Sequence, residues 1–441
     1  MSITDVSPLD AGRRRAEVFA WVLYDWANSA YSTILITILY QYLTTQVFAP
    51  EDWWGSTLYA WCIGTSMMTA AVLSPPLGAM ADVNRSKRRW LALTALGGAG
   101  GAVLLALLPT HWTVPILVLF TLTSLCFELS LGFYNAFLPE ITTEQTVNRV
   151  SAWGFGAGYI GGALALILAL GIEVLGHRWG WGDEAFRLRM GVLLMGLWWG
   201  GFSLPTLLLL RDRGQPDRRQ RFLQAARSAM QQIGHTLHNI RRYRMLAFFL
   251  VGFLFYNEGV QTVLNQSSTF ATKELKFTTG ELVLVILMIQ FLALPGSLLV
   301  GFLADRWGQK AMVMACLAVW VLLLASAWFI QAKWQFWILG GVAAMVMGGT
   351  QSVSRALMGN LTPPKHTGQF FGFFNFSGKA TSFMGSFVFG GILRLTGSAR
   401  PAILSLLVFF LLGWLITAQV NVHEGRRQAL LEKDSDSSSE R

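Results

Sequence analysis

Five ionisable side chains stand out because they lie inside long apolar segments of the chain. They are Asp25, Glu128, Glu258, Arg355 and Lys379, and they are spread over both halves of the 441 residues. A charge in the hydrocarbon core costs about 3 kcal/mol or more unless it faces protein or water, so such residues are rare and commonly functional. Their pattern predicts a polar pathway through a bundle of helices.

The composition predicts a membrane protein. Hydrophobic residues make up 53% of the chain and charged residues 13%, which is about half the usual charged share of a soluble domain. These values indicate an all-α polytopic membrane protein. The formal charge of +10 lies mainly in short loops between apolar spans, so we expect no nucleic-acid partner.

Twelve apolar segments are each long enough to cross a bilayer, which needs about 20 residues. The predicted spans are 17–47, 55–82, 90–109, 113–138, 148–175, 187–210, 243–271, 281–304, 310–331, 335–358, 367–394 and 401–420. An even number of spans places both termini on one side, and the loops on that side carry most of the Lys and Arg. The positive-inside rule therefore predicts cytoplasmic termini and a multi-pass protein of the cell inner membrane.

A polar stretch divides the chain into two six-helix bundles, 1–210 and 243–420. In residues 211–242, apolar residues recur at helical spacing among many arginines. This pattern predicts either an amphipathic helix on the inner leaflet or a solvated basic linker. Residues 421–441 are low in hydrophobicity, so we expect a disordered cytoplasmic tail.

A short motif occurs once in each half, at corresponding loops. The first copy contains Gly78, Asp82, Lys87 and Arg88, and the second contains Gly301, Asp305 and Lys310. Glycine allows helices to approach closely, and an aspartate near a helix end can accept hydrogen bonds from a neighbouring helix terminus. Such contacts can gate a passage between the halves; a purely structural loop is the alternative.

The paired loop motif resembles that of the major facilitator superfamily. Longer segments resemble its vacuole-effluxer-like branch, which includes fungal autophagy-related amino-acid effluxers and bacterial members. These segments are LYDWANSAYST at 23–33, FYNAFLPEIT at 133–142, RVSAWGFGAGYIGG at 149–162, FLFYNEGVQTV at 253–263, GGTQSVSRALMGNLTP at 348–363 and FFGFFNFSGKATSFMGS at 370–386. The resemblance implies two pseudo-symmetric six-helix halves and a secondary carrier.

Polar side chains accompany the charges along single helical faces, as expected for a shared cavity. The predicted pathway residues are Asp25, Asn28, Ser29, Glu128, Asn135, Asn257, Glu258, Gln261, Asn265, Gln351, Arg355, Asn375 and Lys379. Permanent structural pairs remain an alternative: Glu258 with Lys379, or Glu128 with Arg355.

These observations predict a transporter of a small polar or zwitterionic solute, possibly an amino acid, coupled to protons and acting by alternating access. Export or flipping of amphipathic compounds or lipids is a second hypothesis, and a transporter-like receptor or scaffold is a third. Catalytic, phosphate-loop and metal-ligand motifs are not found in the sequence, so we expect no enzyme, no cofactor and no metal. The expected partners are the small-molecule substrate, protons and membrane lipids, and we expect the protein to be a monomer.

Overall fold

The structure is a computed structural model. It describes residues 8–47, 54–213, 224, 227–228, 230–231, 243–379 and 384–437. The predicted amphipathic linker helix within 211–242 therefore lies almost wholly outside the described residues. The described ranges are dominated by long helices joined by short turns.

The first six helices form the N-terminal half of the protein. They are α1 Pro8–Ile34, α2 Trp54–Val83, α3 Lys87–Leu107, α4 Thr113–Ala136, α5 Val147–Arg178 and α6 Glu184–Leu209. The first span continues beyond α1 in two π-helical stretches, Leu35–Leu39 and Tyr42–Val47. A single turn, Leu138–Ile141, follows α4.

The C-terminal half repeats this order. Its helices are α7 Arg244–Leu275, α8 Thr279–Trp307, α9 Gln309–Ala327, α10 Lys333–Leu361, α11a Thr367–Lys379, α11b Met384–Thr396, α12a Ala399–Ser405 and α12b Leu407–Ala418, and a terminal helix α13 covers Val422–Ser437. Their positions match the predicted spans to within a few residues, and the all-α fold is confirmed. Among the described helices, nine are long and apolar enough to cross a membrane.

Each half has a core of its own. One cluster of buried apolar side chains draws on α7 to α12 and the other on α1 to α6. Ala136 and Ala356 are the exceptions, because each packs into the core of the opposite half. A matching pair of buried hydroxyl contacts, Tyr31 with Ser124 and Tyr256 with Ser354 at 2.7 Å each, marks the repeat.

Successive crossings place two sets of turns on opposite faces of the bundle. We call the face where α1 begins and α12b ends the terminus side; the α2–α3, α8–α9 and α10–α11 turns lie on it. The Lys310 ammonium at the start of α9 donates to the carbonyl of Ala418 at the end of α12b, at 2.6 Å, which joins two of these ends. The other face is called the opposite side.

The tail differs from the expected disorder, because residues 422–437 form α13. Ala429 is buried, and a Cβ on Gly425 would touch the side chains of Leu361 and Met245. Val422 also packs against the core of the C-terminal half, and Arg426 pairs with Glu144. Hydropathy underestimated this segment because scattered contacts of this kind, rather than a continuous apolar stripe, hold it in place. Residues 438–441 lie outside the described residues.

Glycine at position 296 lets α8 and α10 touch through their backbones. A Cβ there would overlap the Cα and carbonyl oxygen of Met345, whereas a Cβ on Gly100 would meet no atom within 4 Å. We expect Gly296→Ala to lower the melting temperature in detergent by several degrees, since backbone atoms cannot yield as a flexible side chain can. Gly100→Ala is the matched control and should leave the melting temperature unchanged or higher, because alanine favours a helix by about 1 kcal/mol. Equal behaviour of the two variants would contradict the backbone contact.

Candidate functional site

Asp82 joins the two halves on the terminus side. Its carboxylate accepts hydrogen bonds from the backbone N–H groups of Gly368, at 3.0 Å, and Gln369, at 2.8 Å, in the first turn of α11a. A carboxylate at a helix N-terminus is stabilised by the unpaired N–H groups and the helix dipole. Gly78 makes this approach possible, because a Cβ there would overlap the Gly368 carbonyl.

Lys87 extends the Asp82 contact. Its buried ammonium lies 3.3 Å from the Asp82 carboxylate and also contacts Glu140 and Thr367. Thr367 is the first residue of α11a, so Lys87 also connects the halves. Arg88 makes no such contact between the halves: its backbone N–H donates to Asp212, just beyond the end of α6, at 3.0 Å.

The second copy of the motif also joins the halves, by different chemistry. The Asp305 carboxylate accepts from the Asn148 amide at 3.0 Å and from the Arg149 guanidinium at 2.9 Å, both on α5. Gly301 allows the approach, since a Cβ there would lie 2.7 Å from that of Ala152. The Arg149 side chain is exposed, so water screens this contact more than the buried Asp82 contact.

A buried ion pair lies deeper on the terminus side. The Arg355 guanidinium of α10 donates to the Asp25 carboxylate of α1 at 2.9 Å and to the Asn135 amide oxygen at 3.3 Å. It also donates to the hydroxyl and backbone carbonyl of Ser151 on α5, at 3.0 and 2.8 Å. Removing one partner of a buried ion pair costs about 3–5 kcal/mol because it leaves an uncompensated buried charge, so Asp25 and Arg355 depend on each other while the halves are joined.

Aromatic rings enclose the same guanidinium. The Arg355 carbon lies 3.9 Å from the ring centre of Phe155, 4.6 Å from that of Trp21 and 5.7 Å from that of Tyr134. Glycine at position 154 leaves the necessary space, because a Cβ there would lie within 2.8 Å of the Asp25 and Trp21 side chains and of the Arg355 guanidinium itself.

A second pair of opposite charges lies near mid-depth. The Lys379 ammonium lies 3.2 Å from a Glu128 carboxylate oxygen. Lys379 is twelve residues into α11a, which is about 18 Å along a helix. The other Glu128 oxygen, Oε2, is buried and has no hydrogen-bond partner among the described residues. Asn375 supports the pair by donating to the Ser74 hydroxyl at 2.9 Å and to the Glu128 backbone carbonyl at 3.0 Å.

On α7, Asn257 and Glu258 contact both segments of α11. The Asn257 amide donates to the carbonyl of Gly378, at 3.1 Å, and the Glu258 carboxylate accepts from the N–H of Gly385, at 2.7 Å. Thr262 donates to the same carboxylate oxygen at 3.3 Å. Glu258 is 2% exposed, so its carboxyl group lies inside the C-terminal half.

The remaining predicted pathway residues differ in burial and in their contacts. Gln351 accepts from the Tyr159 hydroxyl at 2.7 Å, which is another contact between the halves. The Asn28 side chain is buried with its amide nitrogen lacking a partner among the described residues, and Ser29 packs against Gly158. Two further α7 residues differ in exposure: Gln261 is half-buried and Asn265 is exposed.

Both structural pairs considered from the sequence differ from the pairs observed here. Lys379 pairs with Glu128 because α4 packs against α11a. Arg355 pairs with Asp25 because α10 and α1 both pack against α5, and the long Arg355 side chain reaches the Asp25 carboxylate. Several partners were missed: Ser74, Ser151, Glu140 and the aromatic rings around Arg355. Ser151 and Glu140 lie within the segments 149–162 and 133–142 that resemble the family, and this position is the only sequence signal that points to them. In the described ranges, no group of three or more His, Cys, Asp or Glu residues could hold a metal ion.

Comparison with known proteins decides the family. The vacuole effluxer Atg22-like family matches residues 55–430, most of the chain. The chain belongs to this family. It is also 31% identical over 411 residues to the uncharacterized MFS-type transporter YxiO of Bacillus subtilis, covering 91% of this chain and 94% of that one. The family is described as vacuole effluxers and the Bacillus relative as an MFS-type transporter, so this Atg22-like chain is a multi-pass membrane transporter and not an enzyme.

Fungal relatives are longer than this chain. Autophagy-related protein 22-1 of Penicillium rubens is 26% identical over 303 residues, covering 64% of this chain and 50% of the fungal protein. The chain therefore spans about half the length of the fungal relatives that it matches.

Solved structures confirm the major facilitator fold. A bacterial homologue of the iron transporter ferroportin in an outward-facing state has a TM-score of 0.70 at 13% identity, covering 92% of this chain and 98% of that one. The proton:xylose symporter XylE has a TM-score of 0.67 at 15% identity, covering 92% and 95%. Identities this low establish the fold alone.

The Asp82 contact makes a prediction about which side of the protein is open. We expect Asp82→Asn to weaken closure of the terminus side, because an amide has one acceptor oxygen where the carboxylate has two. The reporter is a cysteine introduced as Ala356→Cys into a protein whose Cys62, Cys126 and Cys316 have been replaced. Ala356 lies on α10 and is buried in the core of the N-terminal half. The measurement is the rate at which a thiol reagent labels this cysteine. Labelling should rise several-fold.

Glu281→Gln is the matched control for that experiment. Glu281 is on the opposite side and pairs with Lys333 of the same half, at 2.7 Å, and glutamine preserves its helix-capping role. The labelling rate of the Ala356→Cys reporter should be the same with and without Glu281→Gln. An Asp82→Asn rate equal to the control would make the motif a structural turn rather than a gate.

Proposed function

We propose that this protein is a secondary active transporter that moves a small polar or zwitterionic solute, such as an amino acid, across the inner membrane. Transport proceeds by alternating access and is coupled to protons. The observation that carries the proposal is the Glu128–Lys379 pair: two opposite charges near mid-depth, one from each half.

A zwitterion fits the charges of this pair. Its ammonium group can approach Glu128, whose Oε2 has no partner among the described residues, and its carboxylate can approach Lys379, whose side chain is partly exposed. A ligand that supplies both charges replaces the direct ion pair without leaving either group unpaired in a medium of low dielectric constant. A solute with a single charge satisfies only one of the two groups.

Protons act on the same carboxyl groups in this proposal. Protonation of Glu128 cancels its attraction for Lys379, and protonation of Glu258 weakens its acceptance from Gly385. Both changes alter contacts of α11, the helix that also carries the partners of Asp82. Proton binding and opening of the terminus side are thereby linked through one helix.

Opening and closing correspond to rocking of the two halves. The Asp82 and Asp305 contacts and the Asp25–Arg355 pair all join the halves on the terminus side, which supports assigning this state as closed there. With cytoplasmic termini, the state described is closed to the cytoplasm. Residues 1–210 and 243–420 are the two moving bodies, and the monomer is the transporting unit.

Counterflow and proton-driven flux separate binding from coupling. In proteoliposomes, Glu258→Gln should still exchange a labelled amino acid across the membrane. The flux driven by a pH gradient should fall at least tenfold in this variant, because glutamine cannot carry the proton. Glu128→Gln should reduce both fluxes, since it also removes the charge that meets the ammonium. Glu281→Gln is the control and should retain both.

Three results would contradict this proposal. Unchanged pH-driven flux in both Glu258→Gln and Glu128→Gln would remove proton coupling from these carboxyl groups. Movement of labelled lipid in place of the solute would establish a flippase. Folded protein without flux of any solute in an unbiased metabolite pool would favour a receptor or scaffold.

A further inference from the structure

Arg355 is surrounded by groups that all belong to the other half. We call these groups the cation cage; they are Trp21, Asp25, Tyr134, Asn135, Ser151 and Phe155. They come from α1, α4 and α5, whereas Arg355 comes from α10. The cage is therefore built by the N-terminal half, and a side chain of the C-terminal half fills it.

The chemistry of the cage is that of a cation-binding site. It offers one carboxylate, one amide oxygen, one hydroxyl and one backbone carbonyl, all within 3.3 Å of the guanidinium nitrogens. Aromatic faces complete it, and these attract cations through the negative charge of the ring face. The wall is deeply buried: Trp21, Tyr134 and Ser151 are 0% exposed and Asp25 is 6% exposed.

We propose that the cation cage is a binding site for an organic cation bearing N–H groups, a primary ammonium or a guanidinium. Arg355 acts as its internal ligand while the terminus side is closed. When the halves separate there, α10 withdraws the guanidinium and leaves the cage open to solute. This step rests on the proposed alternating access, whereas the affinity of the cage for cations does not.

Electrostatics requires a replacement for the withdrawn guanidinium. A buried carboxylate without a counter-charge is unstable, so Asp25 must gain a cation, a proton or water. The four acceptors of the cage, Asp25 included, favour a ligand that donates several hydrogen bonds. A quaternary ammonium such as tetramethylammonium carries the same charge and no N–H group, so the cage should discriminate against it.

Competition with Arg355 follows from this arrangement. The ammonium end of a zwitterionic solute that enters from the terminus side occupies the place that Arg355 needs for closure. The solute must move on towards the Glu128–Lys379 pair before the gate can close behind it. The cage is thus a first, transient site on the path to the mid-depth site.

Emptying the cage tests the proposal without reference to transport. Purified Arg355→Ala in detergent is titrated with methylguanidinium, and tetramethylammonium at equal ionic strength is the matched control. Saturable thermal stabilisation by methylguanidinium is expected, with at least tenfold weaker binding of tetramethylammonium. The double variant Arg355→Ala with Asp25→Asn should lose at least tenfold in methylguanidinium affinity. Equal responses to both cations, or an unchanged affinity without the Asp25 charge, would overturn the proposal.

A variant that folds more readily and a measurement on the native cage extend the test. Arg355→Gln keeps a polar side chain of moderate length but supplies no cation, and it should show the same selectivity if Arg355→Ala is too unstable to purify. With Arg355 intact, methylguanidinium should raise the Ala356→Cys labelling rate in a saturable manner, and Asp25→Asn should abolish that effect. Labelling that is indifferent to methylguanidinium would refute competition with Arg355.

The outcomes also separate this site from the transport function. Selective cation binding in a protein that gives no counterflow would refute the transport proposal and leave the cage established. Counterflow in a protein whose emptied cage shows no selectivity would refute the cage alone.

Discussion

An ionised side chain inside the bilayer needs a partner of opposite charge, and this constraint organises the structure. Two carboxylates of the N-terminal half, Asp25 and Glu128, find their cations on the C-terminal half, in Arg355 and Lys379. Each pair joins the halves, and neither can separate without a substitute for the lost partner. Movement of the halves is consequently tied to whatever supplies that substitute, which in our proposal is a proton or the charged end of a solute.

Small residues bring the halves close enough for these pairs to form. Along α2 and α11a, Gly78 meets Gly368, and Gly372 leaves room for the backbone of Ser74. Along α5 and α8, Gly301 performs the same role beside Ala152. Without a hydrophobic driving force between helices in lipid, packing of small residues and hydrogen bonds across the interface determine how tightly helices associate. The two interfaces differ in burial, since Asp82 binds backbone N–H groups in the interior while the Arg149 partner of Asp305 is exposed.

The helices were predictable from the sequence because apolar length alone specifies a membrane span, and the charged residues could be identified because charges are rare inside such spans. The pairing of those charges was not predictable. Spacing along one helix specifies a face but not which helix it meets, so Lys379 was considered with Glu258 and was found with Glu128. Partners made of common residues, such as Ser151 and Trp21, give no sequence signal apart from their neighbours. The tail helix was missed because Gly425 and Ala429 pack through small contacts that hydropathy does not register.

Rocking of the two halves can be followed by measuring one distance across each face of the protein. Spin labels at Arg89 and Lys365 report the separation of the halves on the terminus side, and labels at His111 and Gln331, both exposed, report it on the opposite side. The distances are measured by double electron–electron resonance in lipid nanodiscs. They are compared at high and low pH, and in the presence and absence of solute. We expect one distance to lengthen as the other shortens. Two distances that stay fixed, or that change in the same direction, would contradict alternating access by these halves.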